Sequence, residues 1–259
     1  MNMNLNEPID FTLKSTLALV TGGGRGNGEA IAKGMAAAGA RIVVVDINGT
    51  TAAAVAASIR EAGGEAWAYA LDITDSAACQ ALAGRVASDV GEVSCLVNNA
   101  GVLLHGKIGD EDAADRWHRT LNVNVNGTFN VTQAFLPALR KTQGNIINLA
   151  SIASFLSSSA SAAYATSKGA LAQFTRTLAA ELASDGIRVN GIAPGTIDTP
   201  MTAKLKTDEA RLRVFEQHTP MRRIGQPREL VGPAIFLASG AASYITGVVL
   251  PVDGGYLIS

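Results

Sequence analysis

The sequence predicts an α/β fold in which helices flank both faces of a doubly wound, seven-stranded parallel sheet. Two observations lead to this prediction. Seven short, almost continuously apolar runs occur along the chain, and longer segments of helical composition separate them. Strands that are buried on both faces of a parallel sheet have this unbroken apolar character. Their alternation with helices gives a sandwich with right-handed crossovers.

The predicted strands are Leu17–Val20, Arg41–Asp46, Ala66–Asp72, Cys95–Asn98, Asn145–Ala150, Arg188–Ile192 and Val248–Val252. The segments between them are rich in Ala, Leu, Glu and Arg and include Gly28–Ala38, Thr50–Ala62, Ser76–Val90 and Ser167–Ser184. Several of these helices end at a glycine, as a left-handed cap requires, and the glycines are Gly39, Gly63, Gly91 and Gly186.

Composition limits the class of protein. The 259 residues carry a formal net charge of −1 and only 5% aromatic side chains, which disfavours a nucleic-acid or anionic membrane surface. We expect a single domain over residues 1–259, with residues 1–14 as an N-terminal extension. The polar start lacks the apolar segment of a secretory signal, and Cys79 and Cys95 are too few for a disulfide framework. These features predict a cytoplasmic protein with reduced thiols.

The uncharged stretch Leu230–Val252 is long enough to span a bilayer. Glycine, proline and serine interrupt it repeatedly, however. Such interruptions favour a buried helix up to about Ala238, then a turn and a buried strand from Val248. We therefore predict no membrane association.

A glycine-rich turn, Thr21–Gly28, joins the first predicted strand to the first predicted helix. Glycines in this position let the backbone approach a diphosphate, which then lies at the helix N-terminus. The spacing differs from G-x-G-x-x-G, and no Gly-Lys-Ser/Thr follows as in a P-loop. Its place between a strand and a helix predicts a Rossmann-type dinucleotide site.

The second predicted strand ends at Asp46, 18 residues after Gly28. A carboxylate at this distance accepts hydrogen bonds from an adenosine ribose and repels a 2′-phosphate, which favours NAD. Arg25, within the glycine turn, favours NADP instead, because a guanidinium pairs with phosphate, unless it is a solvated loop residue. Desolvating a carboxylate against a phosphate is costly, so we predict NAD and keep NADP as the alternative.

Tyr164 and Lys168 are four residues apart, so on a helix they share one face. An ammonium close to a phenol stabilises the phenolate and lowers the phenol pKa from its usual value of about 10. This spacing predicts that Tyr164 acts as an acid and base, although the same spacing is also typical of a surface pair.

Other chemistries lack their signatures. Residue 165 is Ala, which excludes a Ser-x-x-Lys nucleophile, and neither G-x-S-x-G nor H-E-x-x-H occurs. The three histidines, His105, His118 and His218, lack metal-ligand spacing, so no metal site is predicted.

Together these motifs resemble those of the short-chain dehydrogenase/reductase family, in the same order, from about Leu17 to Tyr256. The matching segments are Thr21–Gly28, Leu71–Ile73, Asn98–Gly101, Val123–Gly127, Asn148–Ser151, Tyr164–Lys168, Pro194–Thr199 and Val252–Gly255. The chain departs from the family pattern at two positions. Ala150-Ser151 replaces the frequent Ser-Ser, and Asn27 replaces a bulkier apolar residue.

The resemblance implies four catalytic residues. Tyr164 would be the general acid in carbonyl reduction and the base in alcohol oxidation, and Lys168 would lower its pKa and bind the nicotinamide ribose. Ser151 would donate a hydrogen bond to the substrate oxygen, and Asn124 would hold a water that links Lys168 to solvent.

It also implies a cofactor site and a substrate site. The implied cofactor contacts are Gly22, Arg25, Gly26, Asn27, Gly28, Asp46, Ile47, Asp72, Ile73, Asn99, Ala100, Gly101, Tyr164, Lys168, Pro194, Gly195, Ile197 and Thr199. The implied substrate contacts are Ser151, Ala153, Tyr164, Gly195 and Met201. Residues 199–220 resemble the family's lid and predict an amphipathic pair of helices.

The expected function is an NAD(H)-dependent oxidoreductase that interconverts a secondary alcohol and a ketone, with a small alcohol, a sugar or a polyol as substrate. One alternative is an NADPH-dependent 3-oxoacyl-[acyl-carrier-protein] reductase, which Asp46 and the acidic Glu181 disfavour. Another is a non-catalytic NAD-binding sensor or scaffold, which would usually lack the tyrosine or the lysine. The resemblance further implies a homotetramer, with helices around Thr120–Arg140 and Ala163–Ser184 at one interface.

Overall fold

The computed structural model describes residues 11–157 and 161–259 and contains one sheet of seven parallel strands in the order β3-β2-β1-β4-β5-β6-β7. The strands are β1 Leu17–Thr21, β2 Arg41–Asp46, β3 Ala66–Ala70, β4 Cys95–Asn98, β5 Asn145–Leu149, β6 Arg188–Pro194 and β7 Val249–Val252. The predicted number of strands and their parallel arrangement are confirmed. The largest differences lie at the ends of β3, which stops two residues early, and β6, which runs on to Pro194.

Helices cover both faces of the sheet. They are α1 Gly26–Ala37, α2 Gly49–Glu61, α3 Ser76–Asp89, α4 Ala113–Leu121, α5 Thr128–Thr142, α6 Ala162–Leu182, α7 Ala203–Lys206, α8 Glu209–His218 and α9 Val231–Ala238. A π-helical turn, Asn122–Gly127, joins α4 to α5. The α6 helix begins five residues before the predicted Ser167, which places Tyr164 in its first turn.

Two apolar cores form because the sheet is buried on both faces. Residues of α1, α2 and α9, such as Met35, Ile59 and Leu237, pack on one face. Residues of α3, α5 and α6, such as Val86 and Phe135, pack on the other. All four glycines predicted to end helices have positive φ angles, between 75° and 132°. This explains why the predicted helix ends agree well with the structure.

Strand order positions the functional groups. The order in which the strands are added to the sheet reverses between β1 and β4. In open α/β sheets, ligands bind beyond the carboxyl ends of the strands at such a point. Because all strands are parallel, the segments that follow β1, β2, β3, β4, β5 and β6 lie at that one edge. These are the segments that carry the predicted site residues.

The segment 199–220 contains the predicted pair of helices, α7 and α8. Phe215 and His218 of α8 pack against the ring of Tyr256, with ring centroids 5.9 and 4.4 Å apart. The stretch Leu230–Val252 folds as predicted, into α9, a turn and β7. Among the described residues, no helix combines the length and apolar character that crossing a membrane requires.

β7 forms one edge of the sheet. The backbone N–H groups of Gly191 and Gly195 donate to the carbonyls of Val248 and Val252, at 2.7 and 3.0 Å, so these alternate positions face β6. Pro251 therefore lies at a position that faces away from β6. Because proline has no N–H, this edge lacks a donor there.

Candidate active site

The glycine turn forms a close-packed cradle between β1 and α1. Gly22 and Gly26 have φ angles of +60° and +58°, which favour glycine. A Cβ on Gly28 would lie 2.2 Å from the Gly22 carbonyl oxygen, so no side chain fits there. Arg25, the N-cap of α1, makes no side-chain capping hydrogen bond. The turn therefore presents backbone N–H groups at a helix N-terminus, where an anion is stabilised.

Asp46 at the end of β2 is tied to this turn. Its carboxylate accepts hydrogen bonds from the backbone N–H groups of Gly24 and Asn48, both at 3.0 Å. The Arg25 residue is exposed, and the Asn27 Oδ1 atom is buried without a hydrogen-bond partner. A buried acceptor of this kind is unfavourable unless something binds it.

The end of β4 packs against the same turn. Asn99 Nδ2 donates to the carbonyls of Thr21 and Gly22, at 2.9 and 3.0 Å. The N–H groups of Asn99 and Ala100 donate to Thr21 Oγ1. Asn99 and Ala100 therefore hold the glycine turn in place, and Gly101 follows directly.

Ser151 and Tyr164 are brought together from β5 and α6. Ser151 Oγ accepts a hydrogen bond from the N–H of Ala153 at 3.1 Å. Burial raises the pKa of Tyr164 above its ordinary value, and the nearby Ser151 hydroxyl opposes that rise without cancelling it. The phenol is therefore protonated in this structure and can donate a proton.

Lys168 is almost fully buried, and its Nζ donates to the Leu149 carbonyl at 2.6 Å. Burial lowers its pKa to about 8, because a charged ammonium is disfavoured away from water. Nζ lies 5.7 Å from the centre of the Tyr164 ring. The net Tyr164 pKa is therefore raised and not lowered as expected, because the Lys168 ammonium donates to a main-chain carbonyl and desolvation of the phenol dominates.

Asn124 lies in the π-helical turn and is buried. Its Nδ2 donates to the Val102 carbonyl and to Ser167 Oγ, at 3.0 and 2.9 Å, and Ser167 Oγ donates to the Tyr164 carbonyl at 2.7 Å. A Cβ on Gly101 would lie 3.1 Å from Asn124 Oδ1 and 3.8 Å from Lys168 Nζ. The four predicted catalytic residues thus form one cluster. Turns of π-helix are frequent at functional sites.

The remaining predicted contacts lie in the loops at the same edge of the sheet. Asp72 accepts hydrogen bonds from the N–H and hydroxyl of Thr74, at 2.9 and 2.8 Å, and Ile73 is buried. Pro194 ends β6, Gly195 donates to Val252, and Ile197 is buried. Other predicted contacts are placed as follows: Thr199 lies beside Gly26, Ala153 is buried next to Ser151, and Ile47 and Met201 are exposed.

Sequence analysis missed several supporting groups. Ser167 joins Asn124 to Tyr164, and Ser154 Oγ donates to the Lys168 carbonyl at 2.7 Å. The signal that could have identified Ser167 is its place in the sequence, within the Tyr164–Lys168 segment and next to Lys168. Within residues 11–157 and 161–259, no cluster of three or more His, Cys, Asp or Glu side chains could hold a metal ion.

A cavity of about 570 Å³ lies near this cluster but is separate from it. Its lining residues are Phe155, Leu156, His218, Val249, Pro251, Tyr256, Leu257 and Ser259. None of the four clustered residues is among them.

A glycine cradle at a topological switch point, next to a buried Ser–Tyr–Lys cluster, defines the class of nucleotide-dependent oxidoreductases with a Rossmann-type fold. Residues 22–257 match the sequence model of a family described as "Enoyl-(Acyl carrier protein) reductase". The chain belongs to the short-chain dehydrogenase/reductase family.

Its relatives include several dehydrogenases that match it over nearly the whole length of both chains. Galactitol 2-dehydrogenase (L-tagatose-forming) of Cereibacter sphaeroides is 41% identical, over 96% of this chain and 97% of that protein. The 7alpha-hydroxysteroid dehydrogenase of Escherichia coli K12 is 40% identical, over 95% and 96%. A gluconate 5-dehydrogenase from Burkholderia cenocepacia J2315, solved with NADP and tartrate, is 38% identical over 96% and 98%, with a TM-score of 0.93.

Proposed function

We propose that this protein is an NAD(H)-dependent oxidoreductase that interconverts a secondary alcohol and a ketone, with Tyr164 as the acid and base. The observation that carries the proposal is the convergence of the Ser151 and Tyr164 side chains beside the buried Lys168. Two hydroxyl groups that converge in a dry site can both bind the oxygen of a carbonyl. Of the two, only Tyr164 is a phenol, which releases and regains a proton more readily than the aliphatic hydroxyl of Ser151.

The residues divide the work as follows. In the direction of reduction, Ser151 donates a hydrogen bond to the carbonyl oxygen, and Tyr164 transfers its proton to the alkoxide that develops there. Lys168, with a pKa of about 8, is a cation at neutral pH whose charge favours the phenolate left behind. Asn124 fixes the turn that faces Lys168, and we propose that it holds a water on the path to solvent.

The glycine turn fits a nicotinamide dinucleotide. The space that a Cβ on Gly28 would fill is closed by backbone, so only a glycine lets the chain turn here and expose its N–H groups. We propose that Gly22, Gly26 and Gly28 surround the diphosphate, with Asp46 at the adenosine ribose and Asp72 near the adenine. When bound, the cofactor supplies the carbon that gives or takes a hydride.

A preference for NAD over NADP is supported by the position of the Asp46 carboxylate. It is held by two backbone N–H groups at the end of β2, where a 2′-phosphate would meet a negative charge. The relative from Burkholderia cenocepacia was solved with NADP, so relatives of similar identity do bind that cofactor. Arg25, whose side chain is in the exposed part of the turn, is the residue that would support NADP here.

For the substrate, we propose a hydroxylated secondary alcohol such as a polyol or a sugar acid. The named relatives include two galactitol dehydrogenases and a 2-dehydro-3-deoxy-D-gluconate 5-dehydrogenase, each matching at least 95% of this chain. Carrier-protein reduction has less support, because these relatives are named as dehydrogenases of galactitol and of a hydroxysteroid. A non-catalytic sensor is disfavoured by the intact Tyr164–Lys168 pair.

We also propose that the chain forms one functional domain, that residues 199–220 act as a lid over the substrate, and that Met201 and Gly195 line the substrate site. A homotetramer in the cytoplasm remains our expectation for the assembly and its location. Sedimentation of the purified protein tests the assembly.

Turnover measurements test the proposed reaction. A panel of polyols, sugar acids, sterols and simple alcohols is offered with NAD and with NADP, and the ketones are offered with the reduced cofactors. We expect turnover of polyhydroxylated substrates with NAD and a loss of about 10²- to 10⁴-fold in kcat for Tyr164→Phe, with cofactor binding unchanged. Wild-type turnover by Tyr164→Phe would refute the role of this residue.

A further inference from the structure

Beneath the active site, a chain of buried hydrogen bonds joins the two helices that carry it. We propose that this chain, formed by Thr128, Thr132, Asn98, Asn148 and Thr175, positions Asn124 relative to Tyr164 and Lys168 and so sets the rate of the reaction. The inference rests on the proposed function. These residues touch neither substrate nor cofactor in our assignment, so they are positioning residues. We call them the amide–hydroxyl chain.

The first half of the amide–hydroxyl chain runs from Asn124 down α5. Thr128 Oγ1 donates to the Asn124 carbonyl at 2.9 Å, and Thr132 Oγ1 donates to the Thr128 carbonyl at 2.8 Å. Asn98 Nδ2, on β4, donates to Thr132 Oγ1 at 3.0 Å. A hydroxyl that bonds back to the carbonyl four residues earlier bends a helix, and here it acts on the carbonyl inside the π-helical turn.

The second half crosses the sheet to α6. Asn98 and Asn148 are register partners on the adjacent strands β4 and β5, and Asn98 Nδ2 donates to Asn148 Oδ1 at 2.9 Å. Asn148 Nδ2 donates to Thr175 Oγ1 at 2.9 Å, and that hydroxyl donates to the Leu171 carbonyl at 2.8 Å. Donors and acceptors alternate without conflict from the Asn124 carbonyl to α6.

Two members of the chain are linked to the position of Lys168. Asn148 precedes Leu149, whose carbonyl accepts the hydrogen bond from Lys168 Nζ. Thr175 lies seven residues, or about two helical turns, after Lys168, so both lie on the same face of α6. A shift along the chain therefore moves the Lys168 acceptor and the Asn124 turn relative to each other.

Packing alone does not explain these side chains. Thr132, Asn98, Asn148 and Thr175 are all at least 95% buried, and Asn98 Oδ1 has no hydrogen-bond partner. Apolar residues of similar shape would fill this space without leaving an acceptor unsatisfied. The buried, unsatisfied Asn98 Oδ1 costs stability, and the geometry that the chain imposes on α5 and α6 best explains why a polar chain lies here.

The test compares Thr175→Val, which removes one hydroxyl at nearly constant volume, with Thr175→Ser, which keeps it. Thr142→Val is the matched control, since Thr142 Oγ1 also bonds back to a carbonyl of α5, that of Ala138, but far along the helix from Asn124. We expect Thr175→Val to lower kcat by about 10- to 100-fold while both KM values change less than twofold, because small misplacements of reacting groups act on the chemical step. Thr175→Ser should recover most of this loss, and Thr142→Val should keep the wild-type kcat.

Hydrogen exchange of the Asn122–Gly127 turn gives a second measurement that needs no substrate. Exchange there should rise in Thr175→Val and not in Thr142→Val. Wild-type kcat and wild-type exchange in Thr175→Val would overturn the proposal, whatever its unfolding temperature. If that variant does not fold, Thr132→Val, in the first half of the chain, is judged by the same two criteria. A wild type that turns over no alcohol while this exchange still responds would refute the proposed function and leave the inference standing.

Discussion

The buried ammonium of Lys168 should make the protein less stable at neutral pH than it would be without it. Burial lowers the pKa of Lys168 from 10.5 to about 8, so the folded protein holds this proton less tightly than the unfolded chain does. We predict that Lys168→Met abolishes turnover yet raises the free energy of unfolding at pH 7. The methionine fills a similar volume without a charge.

The size and sign of the effect follow from the pKa difference. One pKa unit corresponds to about 1.4 kcal/mol, so the lowered pKa of Lys168 costs about 3 kcal/mol at pH 7. Between pH 8 and 10.5 the unfolded chain binds more protons than the folded protein, so wild-type stability rises with pH in that window. Loss of the hydrogen bond to Leu149 costs the variant about 1 kcal/mol at every pH. A net gain of about 2 kcal/mol at pH 7 should therefore fall to zero or below by pH 10.

Urea unfolding of wild type and Lys168→Met at pH 7 and pH 10 measures both quantities. Only the difference between the two proteins is interpreted, because other groups also titrate at pH 10. The same substitution at the exposed Lys107 controls for the removal of a lysine as such. A stability difference between wild type and Lys168→Met that is equal at the two pH values would refute the argument.

Three further predictions concern the glycine turn and its neighbours. Asp46→Ser should weaken NADH binding about tenfold, because a charge-assisted hydrogen bond to the ribose is lost. It should strengthen NADPH binding, because the repulsion of the 2′-phosphate is lost. Fluorescence titration measures both affinities, and an unchanged preference would contradict the NAD assignment. Gly28→Ala should abolish dinucleotide binding and lower the free energy of unfolding by about 2 kcal/mol, because its Cβ meets the Gly22 carbonyl oxygen. Gly84→Ala is the control, since Gly84 lies in an exposed helix with open space around it, and it should raise the free energy of unfolding by about 1 kcal/mol. Equal effects of the two substitutions would refute the steric reasoning. Asn27→Leu should raise the free energy of unfolding by about 1 kcal/mol, since it removes a buried acceptor without a partner, and a fall in the unfolding temperature would contradict this.

The fold was predictable because its signals are local. Each buried strand is a short apolar run, and the helices before Gly39, Gly63, Gly91 and Gly186 end where a left-handed residue is needed. The end of β3 was placed too late because Leu71 is apolar, although it already belongs to the loop. Apolar residues indicate burial, and burial extends to Leu71, beyond the last residue of β3.

The residues of the candidate site were predictable from motifs, but the side chains that support them were not. Motif order identified Ser151, Tyr164 and Lys168, whereas the pairing of Asn98 with Asn148 depends on the register of two strands about 50 residues apart. The π-helical turn has no local signature in Asn122–Gly127. The pKa of Tyr164 could not be predicted from spacing, because it depends on burial and on the direction of the Lys168 side chain.

Pro251, on the edge strand β7, also bears on how the protein behaves at high concentration. An exposed strand edge can template pairing with a neighbouring molecule and start ordered aggregation. Without an N–H at this outward position, β7 offers an incoming strand an incomplete set of donors. Replacing this proline with a β-branched residue would give the edge strand a complete set of donors for pairing with another molecule, and the protein would then precipitate on storage.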